Sequence, residues 1–306
     1  MEGINKLTLG TVQFGLDYGI NNFGGKPERN QSLKMLDFAY EKGIRVFDTA
    51  NAYGDAEEIL GEFIESRHLS DKIKIISKLR PNIIADSKSE MTPDDVIFEN
   101  LTTSLKKLKR NYVDGYLFHT PAYIRNEELV SSLVKLKKQG LVKNIGVSIY
   151  EEEDALYAAG LKEVDYIQVP YSIFDQRLDK TSFFQLAKKN GKTVFARSAF
   201  LQGLFFMPEE KIPPHLQNAK NYFKKLDNII LKYNLSRQQI ALLFSLKNEN
   251  IDYVVFGVDN VKQLEEDIHL AEKNIDCKQC IDDLKNEFVN IEKNIIFPSL
   301  WKKQLE

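Results

Sequence analysis

Short apolar runs alternate along the chain with longer amphipathic stretches. The short runs are Leu7 to Gly10, Arg45 to Thr49, Ile73 to Lys78, Val113 to His119, Val142 to Ser148, Tyr166 to Tyr171, Thr193 to Ser198 and Tyr253 to Gly257. They are rich in β-branched or aromatic residues and mostly apolar on both faces, the pattern of strands covered on both sides. The stretches between them carry helix signals. Thr92-Pro93-Asp94-Asp95 offers a Thr cap, a Pro at the first helical position and acids at the positive end of the dipole. Ser236 and Gln239 have the spacing of a capping box. Gly43 and Gly140 follow helical runs where a left-handed cap is wanted. One further helix, about Ala219 to Tyr233, precedes the last strand. Strand–helix alternation predicts a parallel sheet. Eight such units in this length predict an α/β fold of the (β/α)8 TIM-barrel type, with an extra helix before the last strand and a C-terminal helix and tail. Residues 1–306 are expected to form one barrel domain; a doubly wound open sheet is the main competitor.

Composition narrows the class. The chain has 306 residues, 43% hydrophobic and 28% charged, enough for a sizeable core. Lys plus Arg total 42 against 44 Asp plus Glu, a formal charge of -2 without the basic surplus of a nucleic-acid binder. No apolar run approaches the roughly 18 to 20 residues of a membrane span, and the first residues lack a signal-peptide layout. Two cysteines and no export signal point to a reducing cytoplasm. Small-molecule partners are therefore expected, with no nucleic acid and no membrane. A closed barrel exposes no strand edge, which predicts a monomer or a weak dimer.

Catalytic groups of such barrels gather at the carboxyl ends of the strands. Asp48 ends the second run, in Val46-Phe47-Asp48-Thr49-Ala50, and Tyr53 follows in Asn51-Ala52-Tyr53-Gly54. Lys78 ends the third run and His119 the fourth. Each has a structural reading on its own: a turn former, a loop tyrosine, a solvated strand end, a satisfied core histidine. Three consecutive strand ends would bring all four to one small volume. Lys78 could then pair with Asp48 and lie beside the Tyr53 hydroxyl. A nearby cation favours tyrosinate and lowers a phenol pKa from its reference near 10, making Tyr a usable acid.

With these residues the sequence resembles the aldo-keto reductase family, over nearly its whole length and most specifically in Asp48-Thr49-Ala50-x-x-Tyr53-Gly54. The resemblance implies a catalytic tetrad of Asp48, Tyr53, Lys78 and His119, and NAD(P)H-dependent reduction of an aldehyde or ketone, with a sugar-type carbonyl one candidate substrate. It also implies cofactor contacts. Gly10 and Thr11 stand at the first strand end. Ser148 and Gln168, with Asp48, lie where relatives meet the nicotinamide. Arg197, Ser198, Phe200 and Gln202 resemble the seventh-strand loop that holds the pyrophosphate. Gly257, Asp259, Gln263, Glu266 and Asp267 resemble the adenosine turn. The sequence departs from the family pattern in places. Ile149 replaces the usual Asn, Arg197 replaces the aromatic ring that stacks on the nicotinamide, and no N-terminal hairpin precedes the first strand. The adenosine turn has Lys262 as its only cation. NADPH is expected as cofactor with NADH the alternative, their affinities differing by less than about 100-fold.

Other chemistries find little support. There is no Gly-x-Gly-x-x-Gly, no Gly-x4-Gly-Lys-Ser/Thr and no clustering of His68, His119, His215 and His269. No metal is expected, and Cys277-x-x-Cys280 lacks a second ligand pair. Two alternatives of other classes stay open: a cofactor-binding regulatory subunit, and a Schiff-base aldolase or isomerase using Lys78. An aromatic rim of Phe14, Tyr18, Tyr123, Tyr150, Phe200 and Phe205 is expected at the mouth.

Overall fold

Eight short strands build the barrel: β1 Leu7–Gly10, β2 Val46–Asp48, β3 Lys74–Leu79, β4 Gly115–Phe118, β5 Ile145–Ser148, β6 Tyr166–Pro170, β7 Thr193–Arg197 and β8 Tyr253–Phe256. In this computed structural model, which describes residues 2–86, 90–273 and 275–304, every neighbouring pair is parallel and β8 closes onto β1. The apolar runs mark all eight strands but overshoot their ends. Val113 makes a single bridge to Val142, and His119 lies one residue past β4. Flanking apolar residues are buried by packing without joining the ladder.

The helix signals act as read. Thr92 Oγ1 accepts from Asp95 N at the head of helix Pro93–Leu108, and Ser236 and Gln239 cap helix Arg237–Leu246 reciprocally. The extra helix spans Ala219–Lys232, and helix Lys278–Glu287 follows the barrel. Most of the core lies between sheet and helices; a smaller core fills the barrel itself.

That inner core explains how the barrel closes without an N-terminal hairpin. Tyr166 and Tyr253 open β6 and β8 and turn inward with Phe195, Val46, Ile76 and Leu117. Tyr253 stacks on Phe195 at 4.7 Å, and Tyr166 meets Phe195 at 5.2 Å. Gly115 and Gly146 give this inner core room. A Cβ on Gly115 would lie 3.0 Å from the Tyr166 ring, and one on Gly146 would lie 2.8 Å from Leu117. The short helix Glu2–Lys6 packs instead beside helix Val261–Glu272.

A second close approach fixes the loop after β2. Gly54 has φ +54°, and a Cβ there would lie 2.3 Å from the Gly15 carbonyl oxygen. Gly15 in turn lies so close to Tyr53 that its own Cβ would overlap the Tyr53 carbonyl. The Tyr53 backbone is thus clamped against helix Val12–Gly15. Gly54→Ala combines left-handed strain with a clash and is expected to cost about 2–4 kcal/mol. Gly140→Ala, at φ +78° with nothing near, should cost only about 1 kcal/mol of strain. Urea unfolding of both variants checks this; equal losses would remove the clamp.

Candidate active site

The carboxyl ends of β2, β3 and β6 meet in one buried polar knot. Lys78 Nζ donates to Asp48 Oδ1 at 2.5 Å and to the Thr49 carbonyl at 3.0 Å. Gln168 Nε2 donates to the other oxygen, Asp48 Oδ2, at 2.8 Å. Lys78 is fully buried and Asp48 nearly so. Burial pulls the Lys78 amine below its ordinary value, against the upward pull of the Asp48 carboxylate. An ion buried this way persists where charge and hydrogen bonds compensate it.

Tyr53 and His119 face each other beside this knot. Tyr53 Oη lies 3.4 Å from His119 Nε2, and their rings meet edge to face at 5.5 Å. Lys78 Nζ sits 5.3 Å from the Tyr53 ring centre. The expected lowering of the Tyr53 pKa does not follow. Burial pushes the phenol well above its usual range and Asp48 adds to this, while Arg197 opposes it. Tyr53 therefore keeps its proton. Burial, helped by the charges of Lys78 and Arg197, pulls His119 down to about 3, so the imidazole is neutral. Its Nδ1 is buried without a hydrogen-bond partner.

An open cavity of about 420 Å³ runs from Tyr53 to Glu266. Gly10, Thr11, Asp48, Gln168, Arg197, Ser198, Phe200, Gln202, Gly257, Asp259, Gln263, Glu266 and Asp267 all line it. Of the expected cofactor residues, Ser148 alone does not; it is buried at the end of β5, in register with Gln168. Lys78 and His119 are not among the lining residues: Lys78 is fully buried, and His119 is half-buried against Tyr53. Of the expected rim aromatics only Tyr18 and Phe200 line the cavity; Tyr150 packs on Arg197 and Tyr123 on Phe118. Phe14 and Phe205 are fully buried, Phe205 against Phe174 and Phe223, whereas the neighbouring Phe206 reaches the cavity. Successive positions in a 3-10 turn point about 120° apart, and the sequence alone does not say which ring faces out.

Sequence reasoning missed Gln13, Asn21, Asn22 and Gln238 in the lining. The first three lie on the long connection between β1 and helix Arg29–Glu41, and such length is itself a signal of function. Gln238 sits on helix Arg237–Leu246 and has no linear signature. Its Nε2 donates to Asp267 Oδ1 at 3.0 Å, and burial raises the Asp267 carboxyl to about 7. Lys262 is highly exposed and 3.9 Å from Glu266. Gln13 Oε1 and Asn21 Oδ1 are buried without partners on the cavity wall. An elongated polar wall with unmet acceptors, next to glycines at two strand ends, fits a long ligand such as a dinucleotide. Among the described residues no group of three His, Cys, Asp or Glu could hold a metal, and Cys277 and Cys280 are free and buried. No helix, among the described residues, is long and apolar enough to cross a membrane.

Comparisons with known proteins agree with this geometry. The chain is 25% identical over 295 residues to the uncharacterized oxidoreductase YqkF of Bacillus subtilis, covering 88% of this chain and 91% of that protein. It is 26% identical over 283 residues to the aldo-keto reductase str7 of Strobilurus tenacellus, covering 83% and 80%. Among solved structures, aldo-keto reductase AKR11C1 from Bacillus halodurans, in its holo form, superposes with a TM-score of 0.75 at 20% identity, over 95% of each chain. The family model described as "Aldo/keto reductase family" matches residues 6–282, and the chain belongs to that family of oxidoreductases.

Proposed function

We propose that this protein reduces an aldehyde or ketone to the alcohol, with a nicotinamide cofactor held along the cavity and Tyr53 as proton donor. The observation that carries the reading is the meeting of Tyr53, neutral His119 and the Lys78–Asp48 pair at one end of an elongated polar cavity. When bound, the reduced nicotinamide supplies the hydride. Tyr53, protonated by virtue of its burial, donates to the oxygen of the carbonyl as negative charge develops there. His119, uncharged, orients and polarises that oxygen through Nε2–H, an oxyanion-hole role. Lys78 places positive charge beneath the Tyr53 ring and stabilises the phenolate left behind, while Asp48 and Gln168 hold the amine in place.

The remaining residues divide along the cavity. Gln168 and Arg197 serve the nicotinamide end, with Ser148 buried behind Gln168; Gly10, Thr11, Ser198, Phe200 and Gln202 serve the middle. Gly257, Asp259, Gln263, Glu266 and Asp267 serve the adenosine end. In this reading the protein works in the cytoplasm as a monomer or weak dimer on a small-molecule carbonyl.

Tyr53→Phe should lower turnover about 100- to 10,000-fold, the scale for a positioned acid, while leaving cofactor binding intact. Lys78→Met should be similarly severe, whereas Asp48→Asn, which keeps the amine and an acceptor, should do less. Steady-state reduction of a generic aldehyde reads all three, and a fully active Phe variant would end the mechanism.

At the adenosine end three carboxyl groups stand opposite Lys262, itself engaged by Glu266. A 2′-phosphate is therefore neither held nor excluded strongly, and NADPH and NADH should bind within about 100-fold of each other, NADPH the tighter. Fluorescence titration of both decides it, a ratio above about 1,000 being incompatible.

Asp267 also gives a pH dependence. Its folded pKa near 7 lies above the ordinary carboxylate value near 4. Its contribution to stability is thus full below about pH 4 and lost as the pH rises through 7. Asp267→Asn keeps an acceptor for Gln238 and should be more stable than the parent, with the margin wider at about pH 8 than at about pH 5. Thermal unfolding at both pH values tests the sign.

A further inference from the structure

Within the catalytic end of the cavity, nearly every charge is already matched. The Lys78–Asp48 pair is neutral as a unit wherever its proton sits. His119 is uncharged and Tyr53 protonated. Arg197 is the exception. It ends β7, lines the cavity beside Tyr53 and Tyr18, and forms no ion pair among the described residues. Asp175, an acid that feels its charge, is gripped by Arg177 through both oxygens, at 2.8 and 3.0 Å.

The guanidinium is also held in place. Nη2 donates to the Ile149 carbonyl at 2.8 Å and Nη1 to Ser198 Oγ at 3.2 Å, and the group lies 4.6 Å from the Tyr150 ring centre. These bonds use one N–H on each terminal nitrogen; a guanidinium has five N–H groups, so three remain. The Ile149 contact holds it beside the end of β5. Its charge is felt at Tyr18, Tyr53, Lys78 and His119. A fixed, half-buried cation with unused donors, set among phenols and a neutral imidazole, is an anion receptor beside the reacting carbonyl.

We infer that the preferred substrates are carbonyl compounds carrying a carboxylate or phosphate a few atoms from the carbonyl, with Arg197 as the residue that binds this anion. The inference rests on the carbonyl-reductase reading above. The cofactor's own phosphates are the other possible source of negative charge. Arg197 lines the cavity beside Tyr53 and its charge reaches Tyr53 and His119 rather than Asp259 or Asp267, which favours the substrate.

The test compares matched pairs: succinic semialdehyde with butanal, and glyceraldehyde 3-phosphate with glyceraldehyde. In the parent enzyme at least one anionic member should exceed its neutral partner in kcat/KM by about 10- to 100-fold, the worth of a charge-assisted hydrogen bond. Arg197→Met should erase most of that ratio and Arg197→Lys should restore part of it. A parent that reduces the neutral aldehydes as well as the anionic ones overturns the inference and leaves the reductase reading standing. So does an Arg197→Met variant whose ratio is unchanged while NADPH binding weakens, because the guanidinium then belongs to the cofactor. A binding arm works without turnover. Succinate, titrated calorimetrically into the NADPH-saturated parent, should bind about tenfold more tightly than to Arg197→Met. Equal binding refutes the inference, and absence of turnover on all four aldehydes refutes the reductase reading separately.

Discussion

A lysine buried at the top of a closed barrel is the constraint from which the rest of the site follows. Removing an amine from water costs several kcal/mol unless charge and hydrogen bonds replace the solvent. Lys78 finds these in the Asp48 carboxylate and the Thr49 carbonyl. Asp48 has its second oxygen held by Gln168 from across the barrel. Its carbonyl is held by the amide and the hydroxyl of Thr11. Strands β2, β3 and β6 and the end of β1 are therefore tied to one ion pair. The pair cannot shift without disturbing the register of the sheet, and this fixes the amine under the Tyr53 ring.

The same rigidity has a foundation lower in the barrel. Tyr166, Phe195 and Tyr253 fill the interior with large rings; Gly115 leaves room for the Tyr166 ring, and Gly146, paired with Tyr166, leaves room for its backbone and for Leu117. Large residues facing glycines give native packing in a narrow space. The layer above is left to the polar knot. Lys74, at the amino-terminal end of β3, donates to the Tyr253 hydroxyl at 3.3 Å, so the floor aromatics have a polar atom placed at the bottom of the barrel.

Much of this was legible in the sequence, for physical reasons. Buried parallel strands must be apolar on both faces, so eight runs stood out, and helix caps at Thr92 and Ser236 are local chemistry. The strand-end residues Asp48, Lys78 and His119 were readable because a barrel places strand ends together. What escaped depends on three-dimensional packing. The facing of Phe205 against Phe206 is decided by a kinked turn in which Leu201 and Gln202 take positive φ. Gln238 reaches the cavity only because helix Arg237–Leu246 packs on helix Val261–Glu272. The direction of the Tyr53 pKa shift escapes a sequence reading that weighs the nearby cation without the desolvation that accompanies it.

Desolvation also gives the cavity its polarity, which overall charge conceals. The chain is nearly neutral, with 42 basic and 44 acidic residues, yet the cavity has Arg197 near one end and Asp259, Glu266 and Asp267 at the other. Between them the loop after β1 meets the loop after β7, where Ile20 N donates to the Gln202 carbonyl at 3.0 Å. Gln202 holds that carbonyl in place with a left-handed backbone, φ +53°. A non-glycine residue in that conformation persists only where its surroundings over-determine it. The two loops thus separate a cationic compartment beside Tyr53 from an acidic one beside helix Val261–Glu272. Fields in low-dielectric walls act over the whole of such a cavity. A long ligand with its hydroxyl groups toward the acids is favoured at that end, and one that turned an anionic group there would be opposed, which leaves Arg197 to a second, smaller anion beside Tyr53. Orientation is therefore set by charge placed far apart on the chain, before any contact with the reacting carbonyl is made.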